Sequence, residues 1–132
     1  MVLATGHLGR PEIVALVSLA KELNVRKIVV THAEFPSQNL SADEQVALAD
    51  AGATIEHCFT TAHTGKASWD AVFEGIRRVG PERSFISTDL GQRINPPVAE
   101  GFAMFAQTLL DAGFAAADVR RMAVTNPIAL MS

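Results

Sequence analysis

The chain has 132 residues, of which 48% are hydrophobic and 19% are charged, and its formal net charge is −3 at pH 7. Acidic and basic residues are mixed rather than grouped, which argues against nucleic acid and anionic membranes as partners. No apolar run reaches the length of a membrane span, and no signal peptide is recognisable.

Four short runs of β-branched and apolar residues predict four β-strands. Each run is followed, after a loop, by a stretch whose apolar residues recur at helical spacing. Strands that alternate with helices indicate a parallel sheet with crossover connections. We therefore predict an α/β fold made of four βα units in a single domain over residues 1–132, a length sufficient for one hydrophobic core. The predicted strands are 2–5, 27–31, 53–56 and 84–88.

The predicted helices carry recognisable start and stop signals. Pro11 suits the first turn of the first helix, and Ser41 with Glu44 forms a capping box for the second. The third helix begins near Trp69 and stops at Gly80. The fourth predicted helix follows Pro96-Pro97 and ends at Gly113, with Val98, Phe102, Phe105, Ala106 and Leu109 facing inward. In the second helix the predicted inward face is Ala42, Val46 and Ala49, and short helices are expected over 116–122 and after Asn126.

Each predicted strand ends at a side chain that can bind a metal ion. His7, His32 and His57 follow one another at intervals of 25 residues, and Asp89 follows after 32 more. Because the carboxyl ends of parallel strands meet at one edge of a sheet, these four side chains are expected to share a site. Three imidazoles and a carboxylate are typical ligands of a divalent metal such as zinc.

The alternation of side chains along a strand assigns each ligand to a face. Counting by two from Ile55 places His57 on the same face, which we expect to line the site. The same count places Glu56 on the opposite, helix-facing side. Cys58, the single cysteine, excludes an internal disulfide, fits a reducing cytoplasm and is interpreted as a small buried residue.

Four loop residues are further candidates for the site. Glu34 is either a carboxylate that orients His32 through a hydrogen bond or a solvated loop acid. We include it among the predicted substrate contacts. His63, Gln92 and Arg93 are either substrate contacts or ordinary surface residues.

The strand ends together resemble those of the amidohydrolase superfamily of metal-dependent hydrolases. The resemblance rests on Thr5-Gly6-His7, Thr31-His32-Ala33, Glu56-His57 and 87–92, which reads Ser-Thr-Asp-Leu-Gly-Gln. The ending 125–130, Thr-Asn-Pro-Ile-Ala-Leu, is similar to a segment that closes many such barrels. The resemblance spans the whole chain. Within the superfamily, the chain most resembles an uncharacterised, amidohydrolase-like branch.

The resemblance implies a (β/α)8 TIM-type barrel that binds one or two divalent metals, commonly zinc. It implies that His7, His32 and His57 are ligands, and that Asp89 binds metal and acts as the general base. The implied reaction is hydrolysis of a C–N, C–O or P–O bond in a small-molecule substrate by metal-activated water. A cytoplasmic location is expected.

The sequence departs from this family in lacking the H-x-H motif of its first strand. Four βα units correspond to the C-terminal half of a barrel, so we expect either a fragment that lacks an N-terminal half or two chains that assemble. Because a half-barrel exposes two strand edges, we expect a homo-oligomer. Two alternatives stay open: a non-catalytic, self-associating half-barrel without a complete metal site, and an open flavodoxin-like sheet that binds a small anion.

Overall fold

The computed structural model describes residues 1–132 and shows one sheet of four parallel strands. The strands lie in sequence order, β1-β2-β3-β4, which confirms the predicted α/β organisation and the parallel sheet. The strands are shorter at their ends than predicted, except for β3, which continues to Cys58. Their bounds are β1 Leu3–Ala4, β2 Ile28–Val30, β3 Ala53–Cys58 and β4 Ser84–Ser87.

Seven α-helices and one π-helical turn accompany the sheet. The helices predicted after the first, second and fourth strands are present, and the one expected near Trp69 forms α4. One short helix, α3, lies where we expected only a loop, because no side chain caps it and the sequence gives no start signal. The bounds are α1 Arg10–Glu22, α2 Ala42–Asp50, α3 Phe59–His63, α4 Trp69–Val79, α5 Val98–Asp111, α6 Ala116–Arg120, the π turn Arg121–Thr125 and α7 Asn126–Met131.

The capping box predicted for α2 is present. The backbone N–H of Ser41 donates to Glu44 Oε2 over 2.8 Å, and the backbone N–H of Glu44 donates to Ser41 Oγ over 3.3 Å. These bonds satisfy two donors that a helix start would otherwise leave free. The hydrogen bond from the Ser41 backbone is the main reason that the pKa of Glu44 lies below its ordinary value.

Two hydrophobic clusters form the core, and both lie on one face of the sheet. The first packs α1 and α2 against β2 and β3, and the second packs α4, α5 and the π turn against β4. In β3, Ala53 and Ile55 point into the core, and in β4 Ile86 does so. The residues that alternate with them, Thr54 and Phe85, belong to neither cluster. The helices therefore cover one face of the sheet and leave the other face without helices.

The predicted inward faces of two helices are partly wrong. In α2 the buried residues are Gln45, Leu48 and Ala49, because the amide of Gln45 finds partners that let it occupy a core position. In α5 the buried residues are Gly101, Phe105 and Leu109, whereas Val98, predicted inward, is 54% exposed.

The last helix closes the opposite end of the sheet. The Asn126 side chain donates to the carbonyls of Pro81 and Ser84, at 2.6 and 2.7 Å. Lys27 Nζ donates to the carbonyl of Leu130 over 3.1 Å. Helix α7 thus binds the amino ends of β2 and β4. No helix in the structure has the length and apolarity needed to cross a membrane.

Candidate metal centre

The two faces of β3 carry different chemistry, and the predicted assignment of its side chains is wrong. Ile55 lies in the hydrophobic core, so His57, two residues on, points to the helix-covered face and is fully buried. Glu56 and Cys58 point to the other face, where they meet His32. The alternation itself holds. The error lay in taking the row of Ile55 as the face of the site.

His32 reaches this face because its backbone leaves the extended conformation. Its φ of 50° lies in the left-handed region, which is uncommon for a residue other than glycine. Ile28 and Val30 point into the core, and the turn at His32 breaks the alternation that would have sent its imidazole after them. Gly6 and Asp89 have nearly the same φ, 59° and 51°, and each also follows a threonine at a strand end.

Three metal-binding side chains converge on the face without helices. His32 Nδ1 lies 2.8 Å from Cys58 Sγ and 3.3 Å from Glu56 Oε2. All three donor atoms lie within 4.8 Å of one another. Glu56 Oε2 also accepts a hydrogen bond from the backbone N–H of His32 over 3.1 Å. Two strands and the turn after one of them therefore fix the cluster, which we call the His32–Glu56–Cys58 cluster.

The donor set of this cluster fits a divalent metal of the zinc type. Imidazole, carboxylate and thiolate are all common zinc ligands, and three of them leave a fourth position open, as in catalytic sites. Donors bound to one zinc ion lie roughly 3.3–3.8 Å apart. The separation of His32 Nδ1 and Glu56 Oε2 meets this value, whereas His32 Nδ1 and Cys58 Sγ, at 2.8 Å, would have to move slightly apart.

The surroundings of Cys58 favour the protonated form of its thiol. Burial is the main cause that raises the pKa of Cys58, and the negative charge of Glu56 raises it further. Ser87 Oγ lies 2.9 Å from the sulfur and acts in the opposite direction. A metal ion at the cluster would have to displace the thiol proton, as metals do when they bind cysteine.

His7 and Phe35 border the cluster without joining it. The rings of His7 and His32 are 5.2 Å apart, and the ring of Phe35 lies 6.0 Å from that of His7. Lys66 Nζ lies 4.5 Å from the centre of the Phe35 ring. His7 is exposed, so its imidazole is available beside the three donors.

Asp89 lies at the same edge of the sheet but outside the cluster. Its Oδ2 accepts a hydrogen bond from Thr60 Oγ1 over 3.3 Å, and its side chain is exposed. Gln92 follows it and donates to the carbonyl of Asp89 over 3.5 Å. Arg93 is exposed in the same loop, and exposed His63 stacks on the ring of Phe59 at 4.6 Å.

His57 and Glu34 occupy a separate polar site behind the sheet. His57 Nδ1 lies 2.8 Å from Glu34 Oε1, and His57 Nε2 lies 3.3 Å from Ser84 Oγ. The order serine, histidine, carboxylate is that of a nucleophilic triad. Ser84 and His57 are both fully buried, however, so no substrate reaches the hydroxyl. His57 therefore does not join the other predicted ligands, and Glu34 faces away from them.

Sequence reasoning missed Glu56, Cys58 and Ser87 as members of the site. Glu56 and Cys58 are two residues apart on one strand, and Ser87 pairs with Cys58 in the register of β3 and β4. The spacing of Glu56 and Cys58 was a usable signal once the core face of β3 was known.

Comparisons with known proteins leave the activity open. A family of unknown function, DUF6282, matches residues 1–56. The matched segment includes His32 and Glu56 and ends before Cys58 and Asp89. No curated protein and no solved structure matches the chain.

Proposed function

We propose that this chain carries the divalent-metal site of a metal-dependent hydrolase similar to the amidohydrolases. The observation that supports it most is the convergence of one ligand atom from each of His32, Glu56 and Cys58 within 4.8 Å. In this proposal these three side chains hold a zinc-type ion, and the neighbouring His7 is a further ligand. His57 is not part of it, since both of its ring nitrogens have partners on the other face.

The proposal includes the architecture of half a (β/α)8 barrel. The sheet has four parallel strands in sequence order with helices on one face. A (β/α)8 barrel has the same arrangement, extended to eight strands that close on themselves. The cluster lies near the carboxyl ends of β2 and β3, the position of active sites in such barrels. A missing N-terminal half or a second copy would supply the remaining four strands.

The residues of the chain have distinct roles in this proposal. A zinc-type ion held by His32, Glu56 and Cys58 would lower the pKa of water to about 7. Ser87 holds the sulfur of Cys58 in place, and Phe35 shapes one side of the site. Asp89, at the rim, takes the proton of the attacking water as general base. The substrate is a small molecule with a C–N, C–O or P–O bond, contacted by Gln92, Arg93 or His63, and we propose a cytoplasmic location.

Zinc binding by the purified chain tests the site. We expect the unaltered chain to bind zinc against a competing chelator, and Cys58→Ser and Glu56→Gln each to weaken binding by at least about 10- to 100-fold, the loss typical when residues that only support metal ligands are changed. His63→Gln is the matched control, since it removes an exposed imidazole outside the cluster and should leave the zinc affinity unchanged. Equal affinities in the Cys58→Ser variant and the unaltered chain would show that the cluster is not the site.

Hydrolysis tests the reaction separately. Asp89→Asn keeps the shape of the side chain but removes its ability to take a proton, so any hydrolysis by the zinc-loaded chain should disappear. Retention of the full rate would exclude Asp89 as the base, even if the zinc site were correct.

One observation favours the second candidate, a non-catalytic half-barrel that self-associates. The sequence has no H-x-H motif, so the ligands that the superfamily takes from its first strand are absent from this chain. This candidate predicts assembly without hydrolysis. A flavodoxin-like anion site receives less support, because the sheet lacks the reversal of strand order found in that fold. The N–H of Gly9 is also already bound to Glu12 Oε2 at 2.8 Å.

A further inference from the structure

A polar cleft opens on the helix-covered side of the sheet, behind the metal cluster. It lies between the first turn of α2 and the length of α4 and has a volume of about 560 Å³. This is within the range of small-molecule sites, about 300–1,000 Å³. Most of its lining is polar or charged, including Glu34, Ser41, Gln45, Lys66, Ser68 and Arg78.

The floor of the cleft holds two buried oxygen atoms without donors. Glu34 Oε1 receives the Gln45 amide at 3.0 Å and contacts His57 Nδ1 at 2.8 Å, but Glu34 Oε2 has no hydrogen-bond partner. Gln45 uses its amide nitrogen twice, for Glu34 and for the carbonyl of Leu40, and leaves its own Oε1 unpartnered. Glu34 is 6% exposed and Gln45 is 1% exposed. A buried acceptor without a donor is costly, so both oxygens favour a ligand that supplies N–H groups.

The backbone of α4 leaves room for the side chains of Glu34 and Gln45 at Gly75. A Cβ at Gly75 would lie 2.6 Å from Gln45 Oε1 and 2.9 Å from Glu34 Oε1, closer than real contacts allow. Glycine at this position therefore lets the polar floor exist beneath the helix.

The cations of the cleft wall are engaged elsewhere. Arg78 pairs with Asp43 over 2.5 Å, and Lys66 lies over the ring of Phe35. Neither forms an ion pair with Glu34, and His57 meets only Oε1 of that carboxylate, so Oε2 is left without a partner. The negative charge of Glu34 thus favours a ligand that brings its own positive charge.

We propose that the cleft binds small primary ammonium compounds. An ammonium group carries three N–H donors and one positive charge, and it would donate to Glu34 Oε2 and Gln45 Oε1 together. This site lies on the opposite face of the sheet from the His32–Glu56–Cys58 cluster and does not depend on metal binding.

Amide NMR spectra of the full, metal-free chain test this proposal with three matched probes. Ethanolamine has the ammonium group, ethylene glycol replaces it with a hydroxyl, and tetramethylammonium keeps the charge without N–H donors. We expect ethanolamine to shift the amide signals of Ala42, Ala71 and Gly75 saturably. Ethylene glycol should leave them unchanged, and tetramethylammonium should bind at least tenfold more weakly.

Two variants locate the charge. Glu34→Gln should weaken ethanolamine binding tenfold or more, whereas Glu74→Gln, which removes an exposed carboxylate from the same cleft, should change it less than twofold. The absence of a saturable shift with ethanolamine, equal binding of tetramethylammonium, or equal losses in both variants would overturn the proposal. If Glu34→Gln does not fold, the comparison of the three probes on the unaltered chain still decides.

Discussion

His32 shows how a single backbone angle can set the direction of a side chain at a candidate site. A left-handed φ costs a non-glycine residue about 1–2 kcal/mol, and His32 carries that cost at the turn that aims its imidazole at Cys58 and Glu56. At the equivalent point after β1 the chain has a glycine, Gly6, which adopts the same φ freely.

A pair of substitutions at His32 separates the backbone from the imidazole. Both His32→Gly and His32→Ala remove the ring, but only glycine accepts the left-handed φ without strain. We therefore expect His32→Gly to be more stable than His32→Ala by about 1 kcal/mol in denaturant unfolding, with zinc binding weakened equally in both. If the alanine variant is as stable as the glycine variant, the backbone at this position is not strained.

The sequence predicted which residue types lie at the candidate site better than it predicted where their side chains point. His32 lies in the predicted site and Asp89 at its rim because each follows a strand, which sequence patterns reveal. Spacing alone could not tell which face of the sheet each side chain occupies. The left-handed turn at His32 sends its imidazole to the face without helices, whereas His57 stays on the core face with Ile55. An aliphatic row looks the same whether it faces helices or a barrel interior.

The start of α2 couples helix stability to pH through Glu44. Its pKa is lowered from 4.5 mainly by the Ser41 backbone N–H, and the nearby Arg10 also contributes. A carboxyl with a lowered folded pKa stabilises the fold above 4.5, and that contribution is lost as the pH falls through the folded value. We expect Glu44→Gln to lower the free energy of unfolding near neutral pH, with the difference shrinking in acid.

Denaturant unfolding of the unaltered chain and of the Glu44→Gln variant, from neutral to strongly acidic pH, measures the effect. A difference between the Glu44→Gln variant and the unaltered chain that stays constant from neutral to strongly acidic pH would contradict the assignment.

Helix α5 approaches the loop after Asp89 at Gly101. A Cβ on Gly101 would overlap Leu90 Cδ1, so alanine there must push Leu90 aside. We expect Gly101→Ala to destabilise the fold by about 1–3 kcal/mol, the usual cost of overpacking. In a Leu90→Ala background the same substitution should cost much less. A cost that is equal in both backgrounds would mean that the clash with Leu90 is not its source.

Element boundaries followed the sequence where a local signal marked them. The cap at Ser41 and the stop at Gly80 appear where predicted, because both act through neighbouring backbone groups. The short helix α3 has no such signal. The inward face of α2 includes Gln45 because its amide donates a hydrogen bond to Glu34. The spacing of apolar residues in α2 cannot predict a contact with another segment.

The sheet as a whole has unpaired edges. β1 and β4 each pair with a neighbour on one side only, and Val2 beside β1 is exposed. Such edges and the sheet face without helices are surfaces that another set of strands can cover. We expect sedimentation velocity at micromolar concentration to show a dimer or larger species. A stable monomer at that concentration would argue against two assembled half-barrels.

The contacts of α7 have a consequence for the order in which the protein forms during synthesis. Lys27 enters the chain about a hundred residues before Leu130, the carbonyl that it binds. The ribosome adds about 5–20 residues per second, so β2 and its helices wait several seconds for that partner. During that interval the amino ends of β2 and β4 remain open to water and to chaperones. The direct contacts among His32, Glu56, Cys58 and Ser87 involve no residue beyond Ser87, so these side chains can meet before translation ends.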